Sequence, residues 1–150
     1  MVESDVRAYL PYGPDFSFVD RVLSHTEVGD FVTEKTFHTT HPILLSHFAR
    51  GPSIVPGVIL VEMANQSALL LATLSGRVPA HARMLLGSIK ASFLHPVPAG
   101  SVVTSQVTID SPAGGFEFKA VLSCQGKTVA RVQGIGVITT DSIQESGTAG

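Results

Sequence analysis

Residues 46–66 read SHFARGPSIVPGVILVEMANQ. His47 sits in a turn rich in Pro and Gly. Pro56-Gly57 then opens the most apolar run of the chain, and Glu62, Asn65 and Gln66 stand inside that run. Pro56 suits the first turn of a helix, because its missing N–H would be unpaired there anyway. Gly76 is a plausible stop, with Arg77 placed to meet the negative helix end. The pattern therefore predicts one long helix from Pro56 to Ser75. Val58–Leu74 is apolar enough to mimic a membrane span, but Glu62, Asn65, Gln66, Ser67 and Thr73 interrupt it. A span needs about 20 mostly apolar residues, and a carboxylate near its centre is costly. The helix reads instead as the buried helix of a soluble domain.

Such a helix, apolar nearly all round, must be covered on most sides. The flanking sequence offers the cover. Phe18–Glu27 and Phe31–Phe37 read as two strands joined by a turn around Gly29-Asp30, and Pro42–Phe48 as a short helix. After Arg83, four strands are expected over Met84–His95, Ser101–Asp110, Phe116–Gln125 and Thr128–Ile138. Their connections PVPAG (96–100), SPAGG (111–115) and QGK (125–127) carry turn residues. Phe116, Phe118, Ala120, Leu122 and Cys124 alternate, so one sheet face is buried. Gly134 and Gly136 in the last strand allow a bend or a close backbone approach. Two strands before the helix and four after it can curl into one antiparallel sheet that grips it, an α+β arrangement. A second copy continuing the sheet would cover what one chain leaves open, so a homodimer at least is expected.

The 150 residues fit one domain with a real core, and 44% of them are hydrophobic. The formal net charge of -2 gives no basic excess for nucleic acid. A single cysteine, Cys124, excludes an internal disulfide framework. The start, MVESDVRAYLPYG, has acids early and no apolar signal region, so a cytoplasmic protein without membrane insertion is expected. Residues 1–9 read as an N-terminal extension. The polar residues 139–150 read as a disordered tail.

On a helix, Glu62 and Gln66 share a face, with Val58 one turn earlier and Asn65 beside them. The polar residues thus form a narrow stripe. Two readings of Glu62 stand open. Burial can raise its pKa so that it holds a proton and serves as a general acid, or it can simply pair with an Arg, a Lys or Gln66. Gly57 lies where free helix N–H groups can polarise a carbonyl oxygen, or is an ordinary helix start. His47 is the candidate base among six histidines, although such a histidine is also commonly structural. His38, His41 and His47 have no Cys or acid at a familiar ligand spacing, so no metal is expected.

The run HPILLSHFARGPSIVPGVILVEMANQ resembles the FabZ-type (3R)-hydroxyacyl-[acyl-carrier-protein] dehydratases, whose pattern reads roughly E-P-F-F-x-G-H-F-P-x-x-P-x-x-P-G-V-x-x-x-E-x-x-A-Q. LPYGPDFSFVDRV (10–22), FLHPVPAGSVV (93–103) and FEFKAVLSCQGKTVARV (116–132) are similar to further family segments, so the likeness covers about residues 10–138. The resemblance implies the hotdog fold over residues 10–138, as a double hotdog dimer. It implies a site at the dimer interface, with His47 of one subunit as base toward the α-carbon and Glu62 of the other as acid toward the β-hydroxyl. Gly57 and Val58 would hold the thioester carbonyl, and Gln66 would orient Glu62. Tyr12, Phe16, Phe48, Pro56 and Met63 would line an acyl tunnel along the helix. No cofactor is implied, since the phosphopantetheine belongs to the substrate carried by acyl carrier protein. Lys90, Arg83, Arg77 and Arg50 are candidates for docking that acidic partner. A homodimer, a trimer of dimers or a heterodimer would fit.

Four departures surround the candidate base. Ser46 replaces a glycine, Ala49 a proline and Tyr12 a histidine, and one extra residue lies between His47 and Pro56. They favour a specialised polyketide or polyene pathway over housekeeping fatty-acid synthesis. A hotdog thioesterase and a non-catalytic hotdog subunit are the competing readings.

Overall fold

A computed structural model describes residues 3–26, 29–47, 50–110 and 115–139, with the backbone alone for residues 3–5, 46 and 47. Along these residues run α1 (Glu3–Tyr9), β1 (Arg21–His25), β2 (Phe31–Thr36), α2 (Pro42–His47), α3 (Gly57–Leu74), β3 (Arg83–Phe93), β4 (Val102–Asp110), β5 (Phe116–Cys124) and β6 (Lys127–Thr139). A short 3-10 turn spans Pro14–Phe16.

α3 is the axis of the fold. Pro56 stands just outside it as the N-cap, with φ -57 and ψ 140, rather than inside its first turn. The reason is visible in the preceding chain. Val55, biased to extended backbone by the proline after it, donates its N–H to the Val97 carbonyl at 2.7 Å. Ile54 also bridges to Pro98, so the 53–55 segment lies against the 96–100 turn and fixes where the helix begins. The helix ends as expected at Gly76, whose φ of 74 only glycine adopts freely. The Gly76 N–H donates to Thr73 at 3.1 Å and the Arg77 N–H to Ala72 at 3.0 Å, a Schellman closure.

One six-stranded antiparallel sheet, ordered β1-β2-β4-β5-β6-β3, wraps this helix. Val103 and Val107 of β4, Phe116, Phe118, Ala120 and Leu122 of β5, and Ala130 and Val132 of β6 are buried in one core with Met63, Ala64, Ala68, Leu69 and Leu70 of α3. Although α3 has the length and composition of a membrane span, 72% of it is buried inside the fold. Gly134 makes the close approach anticipated for it, since a Cβ there would collide with the Phe118 ring.

One strand reading needs correction, and two short elements had no assignment. Phe18–Asp20 are not strand. The Phe18 N–H leaves the sheet for a side chain of α3, and β1 begins at Arg21. Residues 3–9, without an assigned element in the sequence, form α1, which lays Val6 into the core, with Leu10 buried just after it, and accepts the His81 N–H at the Tyr9 carbonyl. The 3-10 turn Pro14–Phe16 was likewise unassigned. The other strand ends agree within one or two residues; Glu27 and the expected tail from residue 140 onward lie outside the described residues.

β3, at one edge of the sheet, is different in kind. Leu85 is 59% exposed and Phe93 52%, and on its neighbour β6 Val137 is 53% exposed. An edge strand with free backbone groups and apolar side chains on show is an interaction surface.

Candidate active site

The polar stripe of α3 is assembled around Gln66, which is fully buried. Its Oε1 accepts the Phe18 N–H at 2.7 Å. That bond fixes the orientation of the amide, because only an oxygen accepts from a backbone N–H. The Nε2 must then face the other way, where it donates to the Phe16 carbonyl at 2.8 Å and to Glu62 Oε1 at 3.2 Å. Gln66 therefore ties the 16–18 segment to α3 and presents an N–H to Glu62.

Glu62 is partly buried, and burial raises its carboxyl pKa above the ordinary glutamate range, with the Gln66 and Asn65 amides pulling the other way. Asn65 Nδ2 faces the same Oε1 at 3.5 Å. Oε1 is the oxygen that receives these N–H groups, which leaves Oε2 without a side-chain partner among the described residues. Of the partners expected for it, Glu62 has Gln66 and neither an Arg nor a Lys among the described residues.

Tyr12 completes the group. Its phenol is pushed up to about 12, first by burial and then by the Glu62 carboxylate, against the pull of the Asn65 amide. Its ring centroid stands 5.9 Å from that of Phe16. Val58, one turn before Glu62, is 74% exposed, so the helix face leading to Glu62 is open in the single chain. The Ile59 and Leu60 amides both turn to the Pro56 carbonyl at 2.9 and 3.2 Å. The Gly57 and Val58 amides, ahead of them, have no intrahelical partner. A Cβ on Gly57 would lie 2.9 Å from Phe93 Cζ, so glycine lets that ring close over the helix start.

The sequence-derived residues thus fall into groups. Glu62, Gln66, Tyr12 and Phe16 come together, with Gly57 and Val58 one to one and a half turns before Glu62. Pro56 is the cap, and Met63 is fully buried in the core. One cavity lies at the far end of α3, lined by Leu71 and Ser75 with His25, Phe31 and Arg77. His47 closes α2 through its backbone, while its side chain and the whole of Phe48 lie outside the described residues. α2 is tied to the loop before α3 by Ser53 Oγ, which donates to the Leu44 carbonyl at 3.3 Å. His41 serves α2 locally, its Nδ1 accepting the Ile43 N–H at 3.2 Å.

The four basic candidates sit on different elements. Arg50 precedes α3 and Arg77 follows it, with the 18-residue helix between them. Lys90 instead faces a groove of the sheet with Lys119 and Arg131, and Arg83 starts β3. Spacing along the chain said nothing about which end of the helix each would occupy.

The chain is similar to several known proteins. The FabA-like domain model matches residues 10–133. The 3-hydroxyacyl-[acyl-carrier-protein] dehydratase FabZ of Anaeromyxobacter sp. (strain K) is 30% identical over 132 residues, covering 85% of this chain and 84% of that protein. The protein of the same name from Chlamydia trachomatis serovar L2 (strain 434/Bu) is 32% identical over 119 residues, covering 76% and 77%. Among solved structures, a chain of the dehydratase heterocomplex ApeI:P from Xenorhabdus doucetiae superposes with TM-score 0.75 at 17% identity, covering 93% of this chain and 95% of that one. The E. coli PaaI protein of the phenylacetic acid degradation operon gives TM-score 0.60 at 19% identity, covering 77% and 80%. The sheet wrapped on one helix is the hotdog fold. The chain belongs to the FabA-like family, in its FabZ-type branch.

Sequence reading placed Asn65 in the stripe but gave it no role. The signal was present: the family pattern has alanine before the glutamine, and this chain has Asn65.

Proposed function

We propose that the chain dehydrates (3R)-hydroxyacyl thioesters on acyl carrier protein to trans-2-enoyl thioesters. The observation that carries this reading is the Glu62 carboxyl, raised by burial and held through Oε1 by a Gln66 amide that is itself locked to the backbone. Such an acid delivers a proton from Oε2 to a departing hydroxyl. The Gly57 amide polarises the thioester carbonyl at the positive end of α3, which acidifies the α-carbon. His47, supplied by a second copy, takes the α-proton. No cofactor enters this scheme.

The exposed apolar edge of β3 supports assembly with a second chain, as a homodimer, a trimer of dimers or a heterodimer. The ApeI:P relative is itself a dehydratase heterocomplex. Arg50, exposed in the loop before α3, is the basic candidate on the α2–α3 loop for docking the carrier protein. Ser46 and Ala49, which flank His47-Phe48 in the sequence, and Tyr12 beside Glu62 are departures that support a specialised polyketide or polyene pathway in the cytoplasm. Full activity on ordinary saturated chains carried by the housekeeping carrier protein would overturn that assignment.

The test is purified protein with 3-hydroxyacyl chains loaded on carrier protein. The expected product is the enoyl thioester, formed by the wild type and lost in His47→Ala and Glu62→Gln. Release of the free acid would make the protein a thioesterase. Retention of carrier-protein binding with no turnover at any chain length would make it a non-catalytic subunit.

A further inference from the structure

Three polar side chains of α3 are buried: Asn65, Gln66 and Ser67. Two are satisfied. Gln66 uses both ends of its amide, and Ser67 donates to the Met63 carbonyl at 2.7 Å while pairing with Thr33 Oγ1 at 2.7 Å. Asn65 is not. It is 3% exposed, its Nδ2 faces Glu62 Oε1, and its Oδ1 has no hydrogen-bond partner. The orientation follows from the neighbours: Oε1 is the oxygen of Glu62 that accepts, so the amide nitrogen turns to it and the amide oxygen is left over. Nearly all buried acceptors in folded proteins are paired, so an unpaired one beside a reacting carboxyl calls for a donor. The phenol of Tyr12 borders the same spot, against both Glu62 and Asn65.

We infer that Asn65 is a substrate-binding residue, its Oδ1 accepting the hydrogen of the 3-hydroxyl of the acyl chain while Glu62 faces the same oxygen. The inference rests on the dehydratase reading and gives that reaction a group that recognises the leaving oxygen. That oxygen needs two contacts. It must receive a proton, which Glu62 supplies, and its own hydrogen must be held so that a lone pair points at Glu62. In the reaction the C3–O bond breaks and its electron pair stays on oxygen. Oxygen takes the Glu62 proton and leaves as water with its original hydrogen on Asn65 Oδ1. The α-proton goes to His47 and its electron pair forms the C2–C3 double bond. Asn65 is unchanged, and proton exchange with solvent resets Glu62 and His47.

The test is binding in a background where the chemistry is silent. Glu62→Gln imitates the neutral acid, offering a carbonyl to Gln66 and an N–H outward. In that variant a 3-hydroxyacyl pantetheine thioester should bind about tenfold tighter than its 3-deoxy analogue, as one buried hydrogen bond allows. Adding Asn65→Ala should cut the preference severalfold, to what the N–H introduced at position 62 gives alone, and leave affinity for the 3-deoxy ligand unchanged. Asn65→Leu, close to Asn in size, is measured beside it so that a packing defect in the alanine variant does not decide the result. A preference undiminished in the folded leucine variant overturns the assignment of Asn65 alone, provided the wild type dehydrates. A wild type that dehydrates no 3-hydroxyacyl chain overturns the dehydratase reading and this inference together.

Discussion

The two halves of α3 solve opposite problems with one helix. From Ser67 to Ala72 every residue is buried, and the polar atom of Ser67 is consumed within the protein. From Gly57 to Gln66 the helix leaves Val58 in the open, keeps a carboxyl half-buried and leaves an amide oxygen unpaired. A helix built for stability alone would make the second choice nowhere, because an unpaired buried polar group costs about 1–3 kcal/mol. The C-terminal half carries the packing, and that lets the N-terminal half hold groups that destabilise it. Function and stability are thus separated along a single element, and variants in the two halves should fail in different ways.

The largest separation is expected at Glu62 and Leu70. Glu62→Gln should lower turnover by about 10²- to 10⁴-fold, the usual worth of a positioned acid, without lowering thermal stability. Leu70, fully buried, should do the reverse. Leu70→Ala is expected to lose about 3 kcal/mol in denaturant unfolding, with kcat of the folded fraction nearly intact. Gln66 stands at the border and should show both effects. Gln66→Ala strands the Phe18 N–H and the Phe16 carbonyl, costing about 2 kcal/mol, and also releases Glu62 so that kcat falls.

Smaller effects sharpen the contrast. Gly76→Ala forces a left-handed backbone on alanine and should cost about 1 kcal/mol with no effect on kcat, since it touches only the helix end. The pH dependence of stability has the sign of a raised acid. Folded Glu62 binds its proton more tightly than the unfolded chain does, so its contribution is intact at pH below the unfolded pKa. It is lost as pH rises through the folded one. Thermal melts should therefore show Glu62→Gln more stable than the wild type at about pH 8, with the gap closing toward about pH 4. A gap that widened toward acid would contradict the raised carboxyl.

Much of this arrangement was legible in the sequence because it is local. Gly76 announced its own helix end through backbone freedom, and the turns around Gly29 and the 125–127 connection bounded strands to within a residue or two. What remained hidden depends on distant partners. α1 has seven residues, too few to hold a helix alone, and forms because Val6 and Leu10 find the core. Phe18 looked like strand by composition, yet its N–H goes to Gln66, 48 residues away. Glu62 and Gln66 were readable from their spacing of four, whereas the partner that locks Gln66 was not. Asn65 was visible as a polar residue, but its unpaired oxygen needs the packed structure to be seen.

The account centres on Glu62 as an acid whose pKa is raised by burial and whose carboxyl is aimed by Gln66. Carbon-13 NMR of side-chain carboxyls, with the Glu62 signal assigned by its loss in Glu62→Gln, reads this directly across a pH titration. A midpoint displaced above the ordinary glutamate range, returning toward it when a Leu70→Ala variant loosens the core around α3, is the predicted result. A midpoint within the ordinary range in the intact protein would contradict the account, because Glu62 would then hold no proton to give.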